Sequence, residues 1–140
     1  MRPPLPSIKT LVDSALFNIL VGNCDAHGKN YSFLRDGRIQ GLAPLYNLVS
    51  TTAYPELSPK LSMRVGKEWS IALIGLKGIE GLASDLGVRP HLLRERLDAF
   101  RSNAPGAWEV MAAIPELSGQ ERLVDRIRTG WETRLGRLST

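Results

Sequence analysis

The sequence predicts a mainly α fold with a minor β part, in which a small β-hairpin lies between helical segments. Three observations support this: an apolar stripe of helical period near the N terminus, an Asp-Gly pair between two short apolar runs, and helical spacing over most of residues 82–138. The 140 residues are 43% hydrophobic and 23% charged, which is typical of a folded globular protein. We expect one domain over residues 1–140.

The N-terminal segment predicts the first helix. Pro3, Pro4 and Pro6 favour an extended start, and Ser7 is a candidate helix N-cap. Apolar residues then recur every three or four positions, at Ile8, Leu11, Val12, Ala15, Leu16, Ile19 and Leu20. Gly22 follows this stripe and is predicted to end the helix.

The middle of the chain predicts short strands. Tyr31–Leu34 and Ile39–Leu42 flank Arg35-Asp36-Gly37-Arg38, and Asp-Gly between two such runs is a strong hairpin signal. Leu61–Val65 predicts one more strand. Gly75, Gly78 and Gly81 leave residues 66–81 without an assignment.

The C-terminal part predicts several helical segments. Leu82–Leu86 is expected to form a short apolar turn that ends at Gly87, followed by a helix over Pro90–Ser102. Another helix around Trp108–Ile114 should stop before Pro115.

A capping box at Ser118-Gly119-Gln120-Glu121 predicts the start of the last helix, whose apolar stripe is Val124, Ile127, Trp131, Leu135 and Leu138. We expect Trp108 and Trp131 in the core and leave Trp69 open. The solvent side of this helix is predicted to carry Arg122, Arg126, Arg128, Arg134 and Arg137.

Composition excludes several classes of protein. A single cysteine, Cys24, excludes an internal disulfide and a cysteine-based zinc cage. No apolar run is long enough for a transmembrane helix, and Met1-Arg2-Pro3-Pro4 does not open a signal peptide. We therefore expect a cytoplasmic protein without membrane contact. The net charge of +4 permits an anionic partner but does not specify one.

The loop GNCDAHGKNYSFL, residues 22–34, carries the polar residues with chemical interest. Asp25 and His27 are too few ligands for a stable metal site, and His91, the other histidine, lies far along the chain. A nucleophilic serine in a Gly-x-Ser-x-Gly elbow is absent. Asp25 and Asn30 have the spacing of a phosphoryl-transfer loop, in which the carboxylate orients the acceptor hydroxyl and the amide holds magnesium. Spacing alone leaves open that these residues only form hydrogen bonds to backbone groups in a turn.

A wider pattern favours phosphoryl transfer. The stretch FNILVGNCDAHGKNYSFL at residues 17–34 resembles the catalytic segment of HipA-like serine/threonine kinases, the toxins of bacterial toxin–antitoxin pairs. The stretch LAPLYNLVST at residues 42–51 and KLSMRVG at residues 60–66 are similar to two further motifs of that family. The resemblance implies a kinase-like C-terminal helical lobe with a small β-hairpin next to the catalytic loop, in a bacterial cytoplasm.

The resemblance also implies roles for individual residues. Asp25 matches the catalytic position that acts as base or orients the substrate hydroxyl. His27 and Lys29 match positions beside the nucleotide phosphates, and Asn30 matches both a nucleotide-binding position and a magnesium ligand. ATP and Mg²⁺ are therefore the implied cofactors.

The second metal-binding segment carries Tyr46 and Asn47, both implied to lie at the nucleotide. The family has aspartate at position 47, whereas this chain has asparagine, which weakens the implied metal site because magnesium favours carboxylate oxygen. Met1 also lies only 24 residues before Asp25, with no Gly-rich phosphate loop between them. We therefore expect a C-terminal lobe that is catalytically silent by itself, resembling a truncated kinase or pseudokinase.

The implied partners are an antitoxin, a complementing N-terminal kinase lobe and a protein substrate. Two alternatives to a kinase lobe remain. Residues 82–97 are similar to a helix-turn-helix with basic residues on its second helix, although we expect this corner to serve packing rather than direct DNA contact. A non-catalytic partner-binding protein is the other alternative.

Overall fold

The computed structural model describes residues 5–37 and 39–139, with the side chains of residues 5 and 39 excluded. Within this part the protein is a helical lobe of four α-helices with two small antiparallel hairpins. The mainly α fold with a small hairpin is confirmed, whereas the second hairpin was not predicted. The predicted extended start at Pro3 and Pro4 lies outside the described residues. No helix of the described part is long and apolar enough to cross a membrane.

Helix α1, Leu5–Val21, passes through the centre of the lobe. Val12, Leu16 and Leu20 are completely buried on the predicted stripe. The helix begins two residues before Ser7, so the N-cap prediction for Ser7 is wrong. Ser7 Oγ instead accepts a hydrogen bond from the Leu42 backbone N–H at 3.4 Å, which ties the first turn to the hairpin.

The first hairpin joins strand β1, Phe33–Asp36, to strand β2, Ile39–Leu42. The second strand is as predicted, but the first continues into Arg35 and Asp36, which were assigned to the turn. Asp36 lies opposite Ile39, so Gly37 enters the turn with a φ of +57°. Glycine tolerates this left-handed conformation, and its position therefore sets the register.

A second hairpin occupies part of the unassigned stretch. Strand β3, Lys60–Val65, pairs with strand β4, Glu68–Ser70, around Gly66. A short 3-10 turn and helix α2, Leu76–Leu86, follow. The predicted apolar turn at residues 82–86 is thus the end of a longer helix.

Glycines inside α2 allow the second hairpin to approach it closely. A Cβ atom added to Gly81 would lie 2.6 Å from the Cα of Gly66, closer than atoms can approach. Glycine has low helix propensity, so these residues conceal the helix from sequence reasoning although tertiary packing requires them.

Helix α3, Pro90–Ala112, is continuous, whereas the sequence predicts two separate helices there. The helix passes through Pro105, a residue that normally breaks one. Leu93 and Leu97 bury its first half, and an ion pair between Arg96 Nε and Asp13 Oδ1 at 2.6 Å joins it to α1.

Helix α4, Glu121–Leu138, closes the core. The predicted capping box is wrong: the helix N-cap is Gln120, which makes no side-chain cap hydrogen bond, and Glu121 accepts from the Gly119 N–H at 3.0 Å rather than from Ser118. Hydrogen bonds from the backbone N–H groups of Glu121 and Gly119 lower the pKa of the Glu121 carboxyl group.

Four aromatic rings join α1, α3 and α4. Trp131 lies edge-on to Phe17, Phe100 and Trp108, with ring centroids 5.6 to 6.0 Å apart. Trp131 is buried and Trp108 is half-buried against it, which confirms their predicted core positions. Trp69 is instead exposed on β4, where the Lys60 ammonium lies 5.8 Å from its ring.

The buried stripe of α1 predicts a large effect of truncation. Leu16→Ala should lower the free energy of unfolding by about 3 kcal/mol, because it loses apolar burial and leaves a cavity. Leu73→Ala is the matched control, since Leu73 is 66% exposed whereas Leu16 is 0% exposed. Urea denaturation of both variants checks this, and equal losses would contradict the packing of α1.

Candidate functional site

The candidate site is the loop that leaves the C-terminal end of α1. Gly22 ends the helix with a φ of +78°, as its predicted role requires. Its carbonyl accepts hydrogen bonds from the backbone N–H groups of Thr51 at 3.0 Å and Thr52 at 3.1 Å. Thr51 Oγ1 also donates to this carbonyl and accepts from the Cys24 N–H at 2.9 Å. Thr51 therefore fixes the first residues of the loop.

Asn23 connects the loop to two other segments. Its side chain is only 2% exposed. The amide nitrogen donates to Asn18 Oδ1 and to the Asn47 backbone oxygen, both at 2.9 Å. The amide oxygen accepts from the Asp25 N–H at 3.1 Å. One buried side chain thus positions α1, the loop and the segment around residue 47 together.

Asp25, Asn30 and Asn47 lie close together in the structure. The Asp25 carboxylate is exposed, and its Oδ2 accepts a hydrogen bond from Asn47 Nδ2 at 3.3 Å. Asn30 Nδ2 donates to the Asp25 backbone oxygen at 3.2 Å. Both amide nitrogens therefore face Asp25.

Asn47 has an unusual backbone conformation, with a φ of +57°. No other non-glycine residue in the described ranges has a positive φ. Asparagine is one of the few side chains that tolerate this region. Because an ionised carboxylate can only accept, the nitrogen of the Asn47 amide must be the atom that faces Asp25.

The remaining predicted residues lie around the loop's rim. Tyr46 hydroxyl donates to the Lys29 backbone oxygen at 2.9 Å and lies 3.2 Å from Ser32 Oγ. The Lys29 side chain is exposed, and His27 precedes the 3-10 turn Gly28–Asn30. His27 Nδ1 is buried and has no hydrogen-bond partner within residues 5–37 and 39–139. Tyr46 thus supports the loop through its backbone, whereas His27 and Lys29 make no direct contact with Asp25 that the structure records.

Arg134 supports the loop from behind, which the sequence prediction missed. Its Nε donates to the Leu20 backbone oxygen at 2.8 Å, near the negative end of α1. Burial, reinforced by the nearby Arg137, lowers the pKa of Arg134.

Arg137 donates to the Ile71 backbone oxygen at 3.2 Å. The prediction that all five arginines form the solvent side of α4 is therefore wrong for Arg134 and Arg137. The aliphatic parts of their side chains extend across the core, and no sequence pattern distinguishes such residues from exposed arginines.

Asn23 and Thr51 were also without assigned roles. Both residues lie inside stretches that resemble the kinase family. The resemblance was therefore the one signal in the sequence that could have pointed to them. Their function in the structure is to satisfy buried backbone groups, which single-sequence periodicity does not report.

The oxygen donors around Asp25 fit magnesium poorly. Of Asp25, Asn30 and Asn47, Asp25 carries the carboxylate, and the Asn47 amide directs its nitrogen toward that carboxylate. Magnesium requires oxygen ligands in near-octahedral arrangement, and an amide nitrogen does not serve. Among the described residues no group of three or more His, Cys, Asp or Glu side chains could hold a metal ion.

The fold and the loop define a class: a helical lobe that presents an exposed aspartate between two asparagines, beside a small hairpin. The model of the HipA-like C-terminal domain family matches residues 2–108. The chain belongs to this family.

Individual relatives agree with this assignment. The serine/threonine-protein kinase toxin HipA of Shewanella oneidensis is 33% identical over 121 residues, which cover 86% of this chain and 28% of that protein. The protein Y4mE of Sinorhizobium fredii is 47% identical over 94 residues, 67% of this chain and 22% of that protein.

A solved complex of Shewanella oneidensis HipA, HipB and operator DNA contains a similar chain, with a TM-score of 0.82 and 31% identity. The similarity covers 93% of this chain and 31% of that one. This chain therefore spans less than a third of the length of these relatives.

The turn at Gly22 gives a prediction. A Cβ atom there would overlap Thr52 Oγ1 and lie 2.8 Å from an Arg134 nitrogen, in addition to the strain of a positive φ. Gly22→Ala should therefore cost at least about 3 kcal/mol of unfolding free energy.

Gly87→Ala is the matched control, because Gly87 has a φ of +67° but no atom within 4 Å of an added Cβ. It should cost about 1 kcal/mol, from backbone strain alone. Equal losses in chemical denaturation would show that close packing at Gly22 is unimportant.

Proposed function

We propose that this chain is the C-terminal lobe of a HipA-like protein serine/threonine kinase from a toxin–antitoxin context, and that by itself it does not transfer phosphate. The proposed lack of phosphoryl transfer rests on the 3.3 Å hydrogen bond from the Asn47 amide to the Asp25 carboxylate. It presents a donor where the family's aspartate would present a metal ligand.

Phosphoryl transfer depends on neutralising the negative charge of the transferred group. In phosphoryl transfer, metal ions neutralise charge on the transferred group, and few other chemical steps are left to the protein. Removal of one essential electrostatic group costs about 100- to 1,000-fold in rate in other enzymes. Relatives also carry more than two thirds of their length outside the stretch matched here.

The residue roles follow the family's pattern as proposals. Asp25 would orient an acceptor hydroxyl, which its exposed position permits. His27 and Lys29 would lie beside the nucleotide phosphates, and Lys29 is free to swing because its side chain is exposed. Asn30, as a nucleotide and magnesium ligand, and Tyr46, at the nucleotide, would also hold the loop's shape through their bonds to backbone oxygens.

A partner-binding role is the second candidate. Several large apolar side chains near the loop are exposed, namely Phe33, Leu34, Tyr46, Leu48 and Val49. Exposed apolar surface of this kind favours association with another protein. An antitoxin or a complementing kinase lobe would be suitable partners, since the similar HipA chain was solved with HipB and operator DNA.

Direct DNA contact is not part of the proposal. In the corner between α2 and α3, Arg96 is engaged with Asp13 of α1 by two hydrogen bonds of 2.6 and 3.0 Å. This basic residue of the predicted recognition helix therefore serves packing.

Because the chain is proposed to be inactive by itself, we expect the 140-residue protein to incorporate no phosphate from radiolabelled ATP in the presence of magnesium. Asp25→Ala is the control for background labelling. Incorporation by the unmodified chain that disappears in Asp25→Ala would overturn the proposal.

The substitution Asn47→Asp tests whether residue 47 controls the binding of magnesium and ATP at the site. It places two carboxylates side by side, so we expect a lower melting temperature without divalent ions and recovery when Mg²⁺ is added. Isothermal titration of ATP with Mg²⁺ should give heat with Asn47→Asp and none with the unmodified chain. Equal binding by both proteins would show that residue 47 does not control the site.

A further inference from the structure

A second cavity lies far along the chain from the candidate site, between the end of α3 and the first half of α4. We call it the α3–α4 cleft, and its volume is about 430 Å³. That volume lies within the usual range for ligand-binding pockets. The family model ends at residue 108, so nearly all of the cleft lies beyond the part that defines the family.

The floor of the cleft is apolar. Trp108 and Met111 line it from α3, Ile114 from the following turn and Val124 from α4. Trp108 is half-buried, because its ring meets Trp131 edge-on inside the core while part of it remains in the cleft. An indole at a cavity wall can receive a cation as well as an apolar group.

The rim carries negative charge from two carboxylates. Glu121 and Asp125 stand one helical turn apart on α4 and both line the cleft. Backbone N–H groups of Glu121 and Gly119 bond to the Glu121 carboxylate and lower its pKa. The C-terminal end of α3 adds partial negative charge, and this fully described helix has no basic side chain in its last turn.

Two positive groups oppose this charge. Arg128 lines the cleft, but its Nε lies 3.0 Å from Glu132 Oε1 and its charge is thereby balanced. The N-terminal end of α4 carries the usual partial positive charge, which Glu121 faces from the first turn. With Glu121 bonded at the start of α4 and Arg128 paired with Glu132, the Asp125 carboxylate and the C-terminal end of α3 are the negative groups left at the cleft.

We propose that the α3–α4 cleft binds a peptide segment of a partner protein through an arginine or lysine side chain. The aliphatic stem would pack on Met111 and Ile114, and the cationic head would meet Trp108 and Asp125. Charge complementarity selects this occupant, since an acidic or purely apolar segment would place no positive charge beside Asp125 and the C-terminal end of α3. The proposal is independent of phosphoryl transfer at Asp25.

The test uses the 140-residue chain labelled with ¹⁵N and an acetylated, amidated peptide Ala-Leu-Arg-Leu-Ala. The matched probe replaces arginine by citrulline, which has the same shape and no charge. The indole N–H signal of Trp108, assigned with Trp108→Phe, should shift with the arginine peptide, and the citrulline peptide should bind about tenfold more weakly.

Asp125→Asn should remove most of this preference, whereas Glu80→Gln on the exposed side of α2 should leave it unchanged. Equal binding of the two peptides, or a preference that survives Asp125→Asn, would overturn the proposal. A Trp108 signal that moves with protein concentration alone would also overturn it, because a second copy of the chain would then occupy the cleft.

Discussion

The carbonyl of Gly22 is the constraint on which the candidate site depends. It accepts from two backbone N–H groups and one hydroxyl, all from Thr51 and Thr52, at 3.0 to 3.1 Å. These bonds fasten the segment after residue 42 to the end of α1, although the two are far apart in sequence. The left-handed turn at Gly22 makes this possible, because it directs the chain out of the helix while Thr52 and Arg134 pack against it without a side chain between them.

Asn23 extends this arrangement into the site itself. A buried amide can donate two hydrogen bonds and accept others, and Asn23 uses both capacities within three segments of chain. Buried polar groups of this kind stabilise a structure only when they are satisfied, so they specify one geometry. The first residues of the loop are therefore held by Thr51 and Asn23, neither of which is proposed to contact a nucleotide.

This separation explains how the loop tolerates asparagine at position 47. The backbone oxygen of Asn47 accepts from Asn23 whatever the side chain is, so its position does not depend on a metal ion. The amide then bonds to Asp25 directly, where two carboxylates would repel each other. The position of this backbone segment therefore does not depend on the side chain of residue 47, so the stability of the fold and the proposed chemistry rest on different atoms.

The sequence by itself determined the elements whose signals are local: the apolar stripe of α1, the Gly22 stop, the Asp-Gly hairpin and the apolar face of α4. The family resemblance also singled out Asp25, Asn30 and Asn47, which the structure places near one another. Tertiary structure alone decided the rest. Close packing onto Gly66 explains glycines within α2, and α3 continues through Pro105 although proline normally breaks a helix. Likewise, Arg134 became a support for the loop because its partner is a carbonyl 114 positions away, a contact that no local pattern encodes.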